Sequence, residues 1–398
     1  MRNLFKIYSV IPKNFFMKLG IVLFILGSIK NSFGLISFSL ISWILWFVKE
    51  NIMFDNTPHL NTKYEDIHGK FGILQRRKID TLILNSNISY YEKGYAQGEL
   101  MADKMCKFFS KIKVILYFLN CDSYIVPVDF PNDYKDEIHG LVDGYNSWAI
   151  NNGKEKITFD FVYKYHCLPD GATWLGNNSF LRTVFAVGCS VIIKDNIVGR
   201  TLDFCPFGTG GSDTFILKDG NITKLSIPGI LGCITGWNNK TFYALNISYS
   251  NRKYIQGWPM LFVSKYMLEK GEGEKDINTA SSFHITIFDG TTPKRISFAQ
   301  GNGDLLESNE GITLNFNYGL FESDKETANS LSRKKVIINN FLKGTFHIES
   351  LLKHPSINVH DTINSLVYNY KSGEVVLRRN NSFASDEKEF IEFQISDL

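Results

Sequence analysis

The hydropathy of this chain changes rhythm three times. Leu19–Ile29 and Phe33–Val48 are near-continuous apolar runs, and the stretch from Asn51 to Lys78 that follows is polar and weakly patterned. Ile79–Leu84 reads as a short strand. Ser89-x-x-Glu92 is a capping-box pattern and predicts a helix through "SYYEKGYAQGELMADKMCKFF". Gly94 and Gly98 weaken its propensity, and small residues at that spacing point to close packing. After Pro131 the period is plainly helical: Ile138, Leu141, Val142, Tyr145, Trp148 and Ala149 fall on one continuous face. Asp133, Lys135, Asp136 and Glu137 form its polar first turn, where the helix dipole favours acids.

Beyond Val184 the pattern turns to strands. Val187–Ile193 and Ile197–Leu202 flank Asp195-Asn196, and Phe215–Leu217 and Ile222–Leu225 flank Asp219-Gly220; both are hairpin patterns. Phe242–Ile247, Phe283–Phe288 and Arg295–Phe298 continue the series. A helix is marked by Val336, Ile337, Ile338, Phe341 and Leu342, and a late hairpin joins Ile363–Tyr368 to Val375–Leu377. Helices first and many strands afterwards predict an α+β fold.

Charge and composition change this picture mainly at the N-terminus. Arg2, Lys6, Lys13 and Lys18 precede the apolar runs, the pattern of a secretory signal or signal-anchor, with a buried helix hairpin as the other reading. The second run approaches the length that crosses a bilayer core and the first is too short. No small-x-small cleavage site follows, so cleaved and anchored forms stand as equal alternatives. Either predicts a body in the lumen or outside the cell. Over 398 residues the net charge is +3 with no basic block, which argues against a nucleic-acid partner. The six cysteines, Cys106, Cys121, Cys167, Cys189, Cys205 and Cys233, lack C-x-x-C or zinc spacing. If one serves chemistry, an odd number remains. N-x-S/T sequons begin at Asn87, Asn177, Asn221, Asn239, Asn246 and Asn380, a number that a chain this rich in Asn, Ser and Thr produces by chance.

The chain has no HExxH, no Walker loop, no G-x-S-x-G elbow and no G-x-G-x-x-G between a strand and a helix. "FGTGGS" at 207–212 reads as a loop, and His354 and His360 are isolated. No cofactor is implied. What remains is Cys189, at the start of a strand and after Gly188, facing Arg200 and Asp203 across a hairpin. A strand cysteine is more often a small buried hydrophobe. Here the neighbours favour chemistry. A chain cut at Gly188–Cys189 would expose an α-amine of unperturbed pKa near 8 beside the thiol, joining nucleophile and base in one residue. Such an amine needs a carboxylate to orient it and cationic or amide donors for the oxyanion.

"GCS…GRTLDF" resembles the catalytic start of the choloylglycine-hydrolase and acid-ceramidase superfamily of N-terminal nucleophile hydrolases, with Thr201 standing where asparagine is usual. "YKDEIHGLVDGYN" at 134–146 resembles its pro-segment helix, and "GILGCITGWNNKTFYALNIS" at 229–248 the block ending in an oxyanion asparagine, here Asn246. "GITLNFNYG" at 311–319 resembles a later block and matches Asn315, although Leu314 replaces its threonine. Arg333 of "SLSRKKVI" falls near the last arginine of the pattern, and "HDTINSLVYNYKSGEVVLR" resembles its closing hairpin.

The resemblance implies a four-layer αββα sandwich. Residues 1–50 would be a signal or anchor, 51–78 a linker, 79–188 a pro-segment that stays associated after cleavage, and 189–398 the catalytic part. It implies hydrolysis of a non-peptide amide in an N-acyl lipid, ceramide-like or a fatty-acyl amide, by Cys189 with Arg200, Asp203, Asn246, Asn315 and Arg333, near a membrane surface in the secretory pathway. An acyltransferase of the penicillin-acyltransferase type, and an inactive membrane-tethered lumenal binding protein, are the alternatives. The Asn246 sequon is expected to be buried and unused, since a glycosylated residue there could not serve an oxyanion.

Overall fold

The computed structural model describes residues 64–77, 79–118, 130–175, 187–204, 214–239, 241–248, 257–271, 277–299, 302–307, 312–316, 328–345, 347–357, 362–379 and 390–394. The apolar N-terminal runs, Cys121, Cys205, the 207–212 loop, His360 and the Asn177 and Asn380 sequons lie outside them. No helix among the described residues is long and apolar enough to cross a membrane.

The fold is α+β. Six helices precede or interrupt the first sheet: α1 (Tyr90–Leu100), α2 (Ala102–Phe118), α3 (Asn132–Asn151), α4 (Phe159–His166), α5 (Leu168–Leu175) and α6 (Met260–Lys270); α7 (Ala328–Leu342) and α8 (Ile348–Lys353) come late. The larger sheet runs β1 (Glu65–His68), β2 (Gly72–Arg76), β3 (Thr81–Leu84), β6 (Phe215–Asp219), β7 (Ile222–Ser226), β8 (Thr235–Trp237), β9 (Phe242–Ile247), β10 (Phe283–Phe288), β11 (Lys294–Ala299) and β12 (Asn302–Glu307). The smaller runs β13 (Thr313–Asn315), β4 (Val187–Lys194), β5 (Ile197–Phe204), β14 (Thr362–Asn369), β15 (Glu374–Arg379) and β16 (Phe390–Gln394).

Three apolar clusters order these elements into layers. One joins α1–α6 to the larger sheet and takes in Cys189, Leu202 and Ile363 of the smaller sheet. A second, with Val191, Val198, Leu366 and Leu377 from the smaller sheet and Ile216, Trp237, Phe242 and Phe288 from the larger, lies between the sheets. The third, Ile192, Phe316, Ile337, Ile348, Leu351, Leu352 and Ile357, lies under α7 and α8 on the outer face of the smaller sheet. The order is helix, sheet, sheet, helix.

Several expectations need correcting. The 51–78 stretch read as a linker contains β1 and β2, which extend the larger sheet through the β2–β3 ladder. Among its described residues Leu74 is the one fully buried apolar side chain, which leaves no alternation to read. The long helix from Ser89 is two, because α1 ends at Met101 before α2 begins; the Ser89–Glu92 capping box is present. The second hairpin turns on Gly220-Asn221 rather than Asp219-Gly220: Asp219 pairs with Ile222, and Gly220 takes a φ of 59°. In the turn between β14 and β15, Gly373 has a φ of 72°.

Candidate active site

The site is built on the β4–β5 hairpin, which closes in two residues with Asp195 at a φ of 53°. Its register sets Cys189 opposite Leu202, Val191 opposite Arg200 and Gly188 opposite Asp203. Alternation then sorts side chains onto two faces. Cys189, Val191 and Ile193, with Val198, Arg200 and Leu202, point toward the larger sheet. Ser190 and Ile192, with Thr201 and Asp203, point toward α7 and α8.

On the inner face, Arg200 is wholly buried and bridges the two sheets. Its Nη2 donates to Cys189 Sγ at 3.0 Å and to the Leu245 carbonyl oxygen at 2.5 Å, and its Nη1 donates to Asn246 Oδ1 at 2.5 Å. Asn246 Nδ2 donates to the Asn315 carbonyl oxygen at 3.5 Å, and Asn315 Nδ2 donates to Thr286 Oγ1 at 2.6 Å. Asn246 itself is 0% exposed, so its sequon faces the interior.

On the outer face, Arg333 of α7 forms an ion pair with Asp203 Oδ2 and donates to Ser190 Oγ at 2.7 Å and to Thr201 Oγ1 at 3.4 Å. Thr362 Oγ1 donates to Asp203 Oδ1 at 2.6 Å. Thr201 therefore serves Arg333 as an acceptor. The six residues singled out in the sequence thus fall into two groups, Cys189, Arg200, Asn246 and Asn315 on one side of the hairpin and Asp203 with Arg333 on the other. The backbone of Cys189 runs between them.

Burial pushes the Cys189 thiol above its ordinary pKa, with the Arg200 guanidinium pulling the other way. In the unbroken chain the thiol is therefore protonated at neutral pH. Cys106 and Cys233 are free thiols. Burial pushes Cys233 up to about 11, which suits an inert core residue. No group of three His, Cys, Asp or Glu side chains that could hold a metal occurs among the described residues.

Sequence reasoning missed Ser190, Thr286 and Thr362, whose hydroxyls support the groups separately, Ser190 bonding to Arg333, Thr362 to Asp203 and Thr286 to Asn315. Thr286 and His284 alternate with Phe283, Ile285 and Ile287 along β10. Polar positions on one side of an otherwise apolar, fully buried strand were the available sign. His284 lies opposite Asn246 across the β9–β10 ladder, with Nδ1 2.8 Å from Ser297 Oγ.

No protein-family model matches the chain, and no curated protein matches it. Among solved structures, an arginine-to-leucine variant of conjugated bile acid hydrolase from Clostridium perfringens is similar over 52% of this chain and 84% of its own, at 8% identity and a TM-score of 0.26. At that score the likeness carries no weight for the chemistry, which rests on the geometry above.

Proposed function

We propose that this protein is a cysteine amidohydrolase, activated by cutting its own chain between Gly188 and Cys189, whose substrate is a non-peptide amide such as an N-acyl lipid. The observation that carries the reading is the Arg200 guanidinium, which contacts Cys189 Sγ, Asn246 Oδ1 and the Leu245 carbonyl in one buried cluster. A strand core has no need of a desolvated guanidinium on a thiol, since an unpaired buried cation is strongly destabilising.

In the cut, Cys189 Sγ attacks the Gly188 carbonyl carbon. The Gly188–Cys189 C–N bond breaks as a thioester forms, and the nitrogen takes up the thiol proton. Water then hydrolyses the thioester to a Gly188 carboxylate and a free thiol. In turnover the new α-amine takes the thiol proton as Sγ attacks the acyl carbon, and passes it to the leaving amine. Water releases the acid from the acyl-enzyme. Asn246 and Asn315 serve the oxyanion, and Asp203, fixed by Arg333 and Thr362, serves the amine. The apolar cluster that Cys189 shares with Leu202 and Ile363 favours an acyl chain over a charged group. The N-terminal apolar runs would hold the body beside a membrane where such lipids reside.

The test is N-terminal sequencing of the purified chain beside Cys189→Ala, under acidic and neutral conditions, followed by release of coumarin from N-dodecanoyl aminocoumarin. A fragment beginning Cys-Ser-Val-Ile and amidase activity, both lost in Cys189→Ala, are the expected results. An intact wild-type chain in every condition would overturn self-cleavage, and equal activity in both proteins would overturn the nucleophile.

A further inference from the structure

The two site asparagines are oriented by different kinds of partner. Asn246 presents Oδ1 to Arg200, a group that only donates, so its amide has one orientation and its NH2 must face away. Asn315 presents its amide to the Thr286 hydroxyl, which donates and accepts equally well. In the uncut chain Nδ2 lies on Thr286 Oγ1, and Oδ1, in a residue 1% exposed, has no hydrogen-bond partner among the described residues. A buried, unpartnered carbonyl is destabilising. A half-turn of the amide keeps the Thr286 bond, with the hydroxyl now donating to Oδ1, and brings the NH2 to the position that Oδ1 held.

That position belongs to the site. Asn315 pairs with Val191, two residues along β4 from Cys189 and on the same face, so Asn315 and Cys189 are diagonal neighbours about 7–8 Å apart at Cα. The neighbouring Arg200 supplies only donors. An incoming oxygen that gains negative charge favours NH2 over carbonyl there.

We infer that Thr286 is a positioning residue for the reaction: its hydroxyl accepts from the Asn315 NH2 in the uncut chain and, by donating to Oδ1 instead, lets that amide turn its NH2 toward the reacting carbonyl oxygen when negative charge develops. The inference rests on the reading of Cys189 as nucleophile. Thr286 touches no reacting atom, so its effect falls on the transition state and spares substrate binding.

The experiment compares Thr286→Val and Thr286→Ser in the full chain, after sequencing has measured the processed fraction of each. With N-dodecanoyl aminocoumarin, Thr286→Val should lower kcat by about 10- to 100-fold at unchanged KM, short of the 10²–10³ that accompanies outright loss of an oxyanion donor. Thr286→Ser should restore kcat to within a few-fold of wild type. Dodecanal, whose thiohemiacetal carries the oxyanion, should lose affinity for Thr286→Val by a similar factor, while dodecanoate should not. If the valine methyl disturbs folding, Thr286→Ala carries the same expectations. Combining Thr286→Val with Asn315→Ala should be no worse than Asn315→Ala alone. Wild-type kcat in Thr286→Val, beside an inactive Cys189→Ala, would overturn this inference and leave the nucleophile standing. Full activity in Cys189→Ala would overturn both.

Discussion

Two arginines on opposite faces of one hairpin hold charge in place by different means. Among the described residues, Arg200 has no carboxylate as a hydrogen-bond partner; it is held by a carbonyl, an amide oxygen and a thiol. Arg333 is paired with Asp203, both nearly inaccessible. Removing one member of a buried pair strands the other, at about 3–5 kcal/mol. Arg333→Met in the uncut Cys189→Ala chain should therefore lower the urea unfolding free energy by that much, and adding Asp203→Asn should recover part of it. A loss within about 0.5 kcal/mol, as for an ordinary surface change, would contradict the pair. At this scale the sequence was readable where chemistry-bearing residues sit a strand length apart: Cys189, Arg200 and Asp203 needed only the Asp195-Asn196 turn. Thr286 and Thr362 were not, because a threonine in a strand looks alike whether it packs or bonds a buried polar side chain.

Helix α1 crosses α3 through glycines on both sides. A Cβ on Gly94 would lie 1.9 Å from the Glu137 carbonyl oxygen, and one on Gly140 1.9 Å from that of Tyr91. The backbones touch, so no rotamer change relieves an added methyl. Gly94→Ala should cost at least the ~1–3 kcal/mol of an overpacked core and lower the melting temperature of the uncut chain. Gly171 in α5 has nothing within 4 Å of its Cβ position, and Gly171→Ala should be neutral or stabilising by up to ~1 kcal/mol. Equal melting temperatures for the two variants would refute the close crossing. The spacing of Gly94 and Gly98 announced tight packing, and the stripe of α3 is largely as expected, with Trp148 only half buried. Helix α6 escaped notice because it has no stripe: Met260–Lys265, Met267 and Leu268 are all buried. It is surrounded, and periodicity vanishes when every side faces protein.

Across the whole molecule, residues before Gly188 and after it share one interior. Strand β3 pairs in parallel with β6, Glu137 of α3 pairs with Lys265 of α6, and Lys93 Nζ meets Asp219 at 2.6 Å. His166 Nε2 accepts the Leu231 N–H at 2.8 Å, and Asp170 accepts the Met260 N–H and the Ser281 hydroxyl. Burial pushes the Asp170 carboxyl up to about 7 and the His166 imidazole down to about 4. The signs oppose. Asp170 binds its proton more tightly when folded, so its contribution is full below the unfolded value of 3.8 and is lost as pH rises through about 7. His166 does the reverse: its contribution is present above 6.5 and is lost as pH falls to about 4. In Asp170→Asn, made in the uncut chain, unfolding free energy should rise from about pH 4 to about 6.5 and then level, whereas the parent should be flatter there and decline toward pH 7. Matching profiles would refute the buried carboxyl. Under the proposed self-cleavage, the shared interior also bears on how a cut molecule would age. Before the cut, a denatured chain refolds alone, at a rate indifferent to dilution. After it, each fragment would carry part of that core, and recovery would become an encounter between two molecules that slows as they thin out. The lifetime of the cut form would then be set by how rarely it opens, because dilute molecules that come apart seldom meet again.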